Sequence, residues 1–205
     1  SSAASDVYKR QGVDMSEAVK LRALLKEDPD YKGITINHLI VKAVAYGIKN
    51  EPRVNYSVKD GQLFKPNQIN VGIITVIEDG LLIPVVHQAD QLSLRDVVFE
   101  ARAAVDRARA GRPSSTDLMG GTFSISNMGM FDVESFTAII NPGQGAVLAV
   151  SRTKDKPVAE DGQLVIKPIM NVTISVDHRI IDGIMAGNFL KFFKQALEVP
   201  ALLMA

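Results

Sequence analysis

The sequence predicts an α+β fold, in which a mixed, largely antiparallel β-sheet is flanked by helices. Three observations favour it: four segments have helical periodicity, short β-type segments are separated by Asp-Gly turns, and the last third combines strands with a closing helix. The chain has 205 residues, of which 46% are hydrophobic. That length suits one well-filled core, so we expect one globular domain.

The four helical segments have recognisable start and stop signals. The predicted helices cover residues 16–27, 35–50, 93–111 and about 182–197. Ser16 is the expected N-cap of the first helix, which the Asp28-Pro29 pair ends. Ser93 and Asp96 have the spacing of a capping box, and Gly111 ends the third helix. The second helix has one continuous apolar stripe, so its role is mainly structural.

The β-type segments are short and apolar, with turn residues between them. The predicted strands cover residues 54–58, 62–65, 69–76, 81–86, 122–126, 146–153 and 164–176. Asp60-Gly61, Asp79-Gly80 and Asp161-Gly162 are typical hairpin turns, so we expect antiparallel pairing around them. Residues 1–11 are small, polar and without periodicity. We expect them to be a non-native or disordered leader, followed by one catalytic domain over residues 12–205.

Composition excludes several classes of function. Lys and Arg together number 23, as do Asp and Glu, so no net charge favours nucleic acid or an anionic membrane. The absence of cysteine excludes disulfides, a cysteine nucleophile and thiolate metal sites. The apolar runs are shorter than the roughly 20 residues of a membrane helix. We expect a cytoplasmic protein if the source is bacterial, or a mitochondrial matrix protein if it is eukaryotic.

The three histidines differ in their surroundings. His38 shares a helical face with two lysines, which predicts a solvated surface residue, and His87 lies in a polar loop. His178 ends the most regular strand and is followed by Asp182-Gly183 at a helix start. Strand alternation places its imidazole against an apolar wall, where burial would keep it neutral as a general base requires. Spacing alone leaves open a core histidine with Asp182 merely capping the helix.

Two motifs resemble those of a known family. Residues 177–183 (Asp-His-Arg-Ile-Ile-Asp-Gly) resemble the His-x-x-x-Asp-Gly motif of dihydrolipoamide acyltransferases of 2-oxo acid dehydrogenase complexes and of chloramphenicol acetyltransferases. Residues 120–129 resemble the strand of that family whose serine contacts the tetrahedral intermediate, here Ser126. Residues 80–85, 139–142 and 200–203 also match, so the resemblance runs from about Val13 to the C-terminus. It implies a chloramphenicol acetyltransferase-like fold.

The resemblance implies a reaction and roles for its residues. An acyl group would move between dihydrolipoamide and coenzyme A through a tetrahedral intermediate. His178 would act as general base and Ser126 would hydrogen-bond the oxyanion. Asp182 would order the loop by pairing with an arginine, while the backbone fixes the imidazole tautomer. Coenzyme A is then a substrate, the lipoyl group comes from a separate domain, and no metal is needed.

The resemblance also indicates substrate-binding positions and an acyl group. The expected substrate-binding residues are Asn127, Leu82, Pro84, Arg179 and Gly183, although Leu82 has an equally good interpretation as a core residue. Residues 124–131 look more like acetyl-transferring members than succinyl-transferring ones, which tend to have threonine at the position of Ser126. Asp132 stands where glycine is common, and residues 143–145 (Gly-Gln-Gly) replace the more usual Pro-Gln-Ala.

The family resemblance further implies an assembly. We expect a homotrimer, built into a larger cubic or icosahedral core with dehydrogenase partner subunits, in which each site combines His178 of one chain with Ser126 of the next. The family's segment before Val13 is absent or replaced, which puts trimer stability in doubt. Two alternatives keep the fold: a structural core subunit that does not catalyse, and an antibiotic O-acetyltransferase with a hydroxyl acceptor.

Overall fold

The computed structural model of the chain describes residues 6–204, in which the predicted helices and strands occur in the predicted order. The helices are α1 (Ser16–Lys26), α2 (Ile36–Asn50), α3 (Leu94–Arg109), α4 (Ser115–Leu118) and α5 (Gly183–Glu198). The strands are β1 (Asp6–Asp14), β2 (Ser57–Lys59), β3 (Gln62–Phe64), β4 (Val71–Ile73), β5 (Thr75–Ile77), β6 (Gly80–Leu82), β7 (Val85–Val86), β8 (Phe123–Asn127), β9 (Ala146–Glu160) and β10 (Gln163–Asp177). No helix within these residues is both long and apolar enough to cross a membrane.

Six of the strands form one mixed sheet in the order β1-β10-β9-β8-β4-β7. The pairs β1–β10, β10–β9 and β4–β7 are antiparallel, whereas β9–β8 and β8–β4 are parallel. The remaining strands form two small hairpins, β2–β3 and β5–β6. The predicted runs 69–76 and 81–86 each divide in two, because β4 and β7 stay in the main sheet while β5 and β6 leave it as a hairpin. The predicted mixed, largely antiparallel sheet is confirmed.

The core lies between the sheet and the two long apolar helices. Val172, Ile174 and Val176 of β10 are fully buried on the helix side. Phe189 of α5 packs on Phe123 of β8, with their ring centroids 5.4 Å apart. A Cβ on Gly47 of α2 would lie only 2.9 Å from the Phe189 ring, so glycine lets α2 and α5 approach closely.

The N-terminal segment differs from the prediction. Residues 6–11 belong to β1, which pairs along β10 from Asp6 opposite Asp177 to Asp14 opposite Ile169. The prediction of an irregular leader is therefore wrong for residues 6–11, while residues 1–5 lie outside the described part of the chain. β1 is an edge strand, which pairs with one neighbour and needs no strong alternation of apolar residues. The hydropathy pattern of residues 6–11 therefore did not indicate a strand.

Two predictions about helix starts also need correction. The N-cap of α1 is Met15, and Ser16 is its first helical residue. The Ser16 hydroxyl and backbone N–H both donate to Asp14 Oδ1, at 2.6 and 2.9 Å, so Asp14 supplies the capping oxygen. His38 is 5% exposed rather than solvated, and its Nδ1 accepts from the Thr35 N–H at 3.0 Å in the capping box of α2.

Candidate active site

His178 directly follows β10, and one backbone contact fixes its tautomer. Its Nδ1 lies 3.1 Å from the carbonyl oxygen of Ile181. Because a carbonyl oxygen only accepts, Nδ1 must hold the hydrogen, and the neutral ring keeps its lone pair on Nε2. The prediction of a backbone-fixed tautomer is consistent with this geometry. The predicted burial is not: the strand ends at Asp177, the turn takes His178 off the sheet, and its side chain is exposed in the single chain.

The turn around His178 is held by Asp177 and Arg179. Arg179 Nε donates to both Asp177 carboxylate oxygens, at 2.9 and 3.1 Å, and the Arg179 backbone N–H donates to Oδ1 at 3.1 Å. These hydrogen bonds from Arg179 lower the pKa of Asp177. The Asp177 N–H donates to the Gly145 carbonyl at 2.8 Å, which fastens the end of β10 to the neighbouring loop. Arg179, expected to bind substrate, therefore holds the turn in the single chain.

Asp182 caps α5. Its Oδ1 accepts from the backbone N–H groups of Ile184 and Met185, at 2.8 and 2.9 Å. Within residues 6–204 Asp182 forms no ion pair, so the expected arginine pairing is not made inside this part of the chain. The pKa of Arg53 is raised chiefly by hydrogen bonds to Glu51 and, to a smaller extent, by the Asp182 charge. Asp182 thus fixes the end of the His178 turn as the N-cap of α5, which is the role that the sequence spacing had left open as an alternative.

The predicted oxyanion donor lies at the other end of the sheet. Ser126, on β8, is half-buried, and its hydroxyl forms no hydrogen bond with the part of the chain that the structure describes. Asn127 next to it accepts from the Gly129 N–H at 2.7 Å and donates to Asn37 of α2. The hydroxyl of Ser126 is therefore free to donate to a ligand.

Leu82 and Pro84 lie at the same end of the sheet as Ser126. The Pro84 carbonyl accepts from the Ile73 N–H at 2.8 Å, and Ile73 pairs with Ile125 in the sheet. Pro84 is buried and Leu82 is half-buried. At the His178 end, Gly183 is the first residue of α5, and an added Cβ would lie 3.3 Å from Lys9 Cε. The predicted site residues thus form two groups, one around His178 and one around Ser126.

The sheet register separates these two groups within one chain. Val176 pairs with Ala146, whereas Ser126 pairs with Ala149 on the other side of β9. Asp177 therefore lies opposite Gly145, which is four residues before Ala149 on β9. This places Asp177 about 13 Å from Ser126 along the strand direction, and about 10 Å from it across the sheet, since the step from β10 over β9 to β8 covers two inter-strand spacings. The backbones of Asp177 and Ser126 therefore lie roughly 16 Å apart. His178 and Ser126 of the same chain therefore lie in separate groups of predicted site residues.

A buried hydrogen-bond network beside the His178 turn was not predicted from the sequence. The Ser124 hydroxyl, fully buried on β8, donates to Gln144 Oε1 at 2.8 Å and accepts from Asn141 Nδ2 at 2.9 Å. This network fixes the loop 139–144, which lines a pocket of about 260 Å³ together with Val58, Asp177 and Arg179. Ser124 in the interior of an apolar strand could have indicated this network from the sequence, because a buried hydroxyl needs hydrogen-bond partners.

Gly145 follows this loop at a position where the resemblance showed a departure from alanine. An added Cβ would lie 1.9 Å from the Tyr56 carbonyl oxygen, so only glycine allows the two backbone segments to approach this closely. The departure at residue 145 therefore has a steric reason in this chain, and it lies beside Asp177 rather than among the reacting groups.

Comparison with known proteins places the chain in a family. Residues 1–205 match the family described as 2-oxoacid dehydrogenases acyltransferase (catalytic domain). The chain belongs to this acyltransferase family. The acetyltransferase component of the pyruvate dehydrogenase complex of Zymomonas mobilis is 35% identical over 97% of the chain and 46% of its own length. The succinyltransferase component of the 2-oxoglutarate dehydrogenase complex of Cupriavidus necator is 40% identical over 94% and 47%. The chain thus spans about half the length of these relatives.

Solved acyltransferase structures share the fold. The cubic core of a pyruvate dehydrogenase multienzyme complex matches with a TM-score of 0.91 and 30% identity, over 98% of this chain and 85% of that one. The Azotobacter vinelandii dihydrolipoamide acetyltransferase matches with a TM-score of 0.91 and 29% identity over the same shares. Chloramphenicol acetyltransferase, at 16% identity, matches with a TM-score of 0.65 over 94% and 88%, which confirms the predicted fold type.

Proposed function

We propose that this domain transfers an acyl group between the thiols of dihydrolipoamide and coenzyme A. The observation that carries the proposal is the hydrogen bond from His178 Nδ1 to the Ile181 carbonyl, which leaves Nε2 as an available base. It occurs in the turn that matches the acyltransferase motif, in a chain that belongs to the acyltransferase family. A structural core subunit would have no need of a histidine with a fixed tautomer, so that alternative is disfavoured.

The reaction needs one base and one oxyanion donor. His178 Nε2 takes the proton from the attacking thiol, and the resulting thiolate adds to the thioester carbonyl carbon. The carbonyl oxygen becomes an oxyanion, to which the Ser126 hydroxyl donates a hydrogen bond. Collapse of the intermediate re-forms the carbonyl and breaks the bond to the second sulfur, which takes the proton back from the His178 imidazolium. No acyl-serine forms.

A comparison of spacing supports these roles. In the Azotobacter vinelandii protein a serine, a histidine and an asparagine have been studied for their part in catalysis, at intervals of 52 and 4 residues. Ser126, His178 and Asp182 have the same two intervals. We infer that Asp182 takes the place of that asparagine, and that it acts as the loop-fixing N-cap of α5.

We propose that each active site is shared between two chains of a homotrimer. The roughly 16 Å between the two halves within one chain motivates this, because the missing half must then come from a neighbour. A second chain would also cover the exposed His178 ring. The cubic core among the related structures supports a larger assembly, in which a lipoyl domain and dehydrogenase subunits are the partners. Because the relatives are bacterial, we propose a cytoplasmic location.

Acetyl is the acyl group that we propose. Ser126 lies in the run resembling the acetyl-transferring members, whereas both acetyl- and succinyltransferase components occur among the relatives. The test is to incubate the domain with free dihydrolipoamide and either acetyl-CoA or succinyl-CoA, and to measure released coenzyme A. Faster transfer from acetyl-CoA is expected. Faster transfer from succinyl-CoA would contradict only the acyl group, and no transfer from either would overturn the proposed activity. Chloramphenicol as acceptor tests the O-acetyltransferase alternative.

A further inference from the structure

The side-chain amide of Asn127, next to Ser126, has a fixed orientation. Asn127 Oδ1 accepts from the Gly129 N–H at 2.7 Å, and a backbone N–H can only donate. The other end of the amide, Nδ2, therefore faces α2 and donates to Asn37 Oδ1. The orientations of both amides follow from one backbone contact, so Asn37 is an acceptor in this pair.

This contact is made where β8 loses a neighbouring strand. Up to Ile125, β8 lies between β9 and β4, with Ile125 opposite Ile73. β4 then ends and the chain leaves the sheet as the β5–β6 hairpin, after a last bond from the Ile74 N–H to the Ile125 carbonyl at 2.9 Å. Ser126 and Asn127 remain paired only with β9. The hydrogen bond to Asn37 thus supplies a second anchor at the point where one strand is missing.

The first turn of α2 is a rigid support for that anchor. His38 Nδ1 accepts from the Thr35 N–H at 3.0 Å and closes the start of the helix. Burial of His38 lowers its pKa to about 4, so the ring stays neutral and able to accept at neutral pH. Leu39 and Ile40, which follow, are fully buried in the core. Asn37 is therefore held in place from both directions along the helix.

We propose that Asn37 is a positioning residue for the oxyanion donor, acting through Asn127 on the backbone of Ser126. The inference rests on the proposed acyl transfer. Because side chains alternate along a strand, Ser126 and Asn127 point to opposite faces of the sheet, and Asn37 lies on the helix side, away from the Ser126 hydroxyl. Asn37 sets where the hydroxyl donor lies, and a small displacement of a donor costs turnover rather than substrate affinity.

The test compares Asn37→Ala with Asn37→Asp. Alanine removes the acceptor, whereas aspartate keeps an oxygen to accept from Asn127 Nδ2 and is favourable in the first turn of a helix. For Asn37→Ala we expect kcat to fall about tenfold with KM for coenzyme A within about twofold, and for Asn37→Asp a kcat within about threefold of the parent. Asn50→Ala is the matched control at the other end of α2, where the amide donates to the Tyr46 carbonyl at 2.8 Å. It should leave kcat unchanged.

A double variant separates positioning from general stability. In a Ser126→Ala background, Asn37→Ala should lower kcat no further, because the donor that it positions is already gone. A full tenfold loss of kcat in that background would overturn the proposal. An unchanged kcat in Asn37→Ala would do the same, and so would a kcat of Asn37→Asp as low as that of Asn37→Ala. The proposal also fails if the loss of kcat merely follows the fraction of unfolded protein measured by circular dichroism. Absence of acyl transfer by the parent protein would instead overturn the proposed function.

Discussion

At the scale of single residues, the role of base that we propose for His178 depends on one backbone hydrogen bond. The Ile181 carbonyl selects the tautomer of His178. Asp182, the next residue, holds this part of the chain in place by capping the start of α5. The arrangement resembles the way a histidine is oriented by a carboxylate in other enzymes, with a peptide oxygen in place of the carboxylate. His178 is exposed in the single chain, so its surroundings are open to the neighbouring chain and the thiol substrates of the proposed mechanism.

Replacing His178 should remove most of the activity. We expect His178→Ala to retain less than about one hundredth of the parent kcat, because general-base assistance contributes about 10² to 10⁴-fold. The matched control is His87→Ala: His87 is also exposed, and its Nε2 donates to the Thr116 carbonyl at 2.9 Å. Thiol-exchange assays on both variants check this. Residual turnover above a tenth in His178→Ala would show that another group is the base.

Ser126→Ala should separate turnover from binding. The hydroxyl has no hydrogen-bond partner within residues 6–204, and in the proposed mechanism it donates most strongly to the oxyanion of the transition state, so its removal should lower kcat about 10²-fold. KM for coenzyme A should change by less than about threefold. Steady-state kinetics with varied coenzyme A measure both constants. A rise in KM with kcat unchanged would instead make Ser126 a substrate-binding residue.

At the scale of elements, β10 has buried hydroxyls that cost stability. Thr173 Oγ1 is buried without a hydrogen-bond partner within residues 6–204, whereas the buried Thr75 hydroxyl of β5 donates to the Ile73 carbonyl at 3.0 Å. The same change to valine should therefore have opposite effects. We expect Thr173→Val to raise the free energy of unfolding by about 1 kcal/mol and Thr75→Val to lower it by about 1 kcal/mol. Urea denaturation of both variants is the check, and equal effects would contradict the burial argument.

His38, in the first turn of α2, should make the free energy of unfolding depend on pH. Its folded pKa of about 4 lies below the ordinary 6.5, because burial disfavours the charged ring. As pH falls from 6.5 towards 4 the unfolded chain binds a proton that the folded chain does not, so about 3 kcal/mol of stability is lost. His38→Gln keeps a capping acceptor without titrating. Its unfolding free energy should fall less than the parent's between pH 7 and 4.5, and parallel losses would show that His38 is not the cause.

At the scale of the whole molecule, α2 connects the elements that carry the two groups of predicted site residues. Its 15 residues make a helix about 22 Å long. Asn37 contacts Asn127 near its start, and Glu51, its C-cap, accepts from Asn188 of α5 at 3.1 Å. α2 therefore contacts the end of β8, which contains Ser126, near its own start, and α5, which Asp182 caps, at its own end.

Mixed oligomers test whether neighbouring chains complete the site. His178→Ala and Ser126→Ala chains are co-expressed in equal amounts. If sites are shared, random assembly makes about one quarter of them intact, because each needs His178 from one variant and Ser126 from the other. If each site lies within one chain, none is intact. Thiol-exchange activity no higher than that of either variant alone, in oligomers shown by mass spectrometry to be mixed, would rule out sharing.

The sequence alone was sufficient for the features set by local chemistry. Apolar periodicity and Asp-Gly turns predicted the helices and hairpins, since each depends on neighbours within a few residues. The motif at residues 177–183 singled out His178 and Asp182, and the strand motif singled out Ser126. The mixed sheet and the acyltransferase family followed from the same residues.

Only the tertiary structure decided what depends on distant parts of the chain. His38 has the spacing of a surface residue, yet it is buried, because neighbouring elements and not its own helix determine which face is covered. β1 was missed because its hydrogen bonds come from β10, more than 150 residues away in sequence. The separation of His178 from Ser126 follows from the register of three strands, and register is a property of pairing that no single segment encodes.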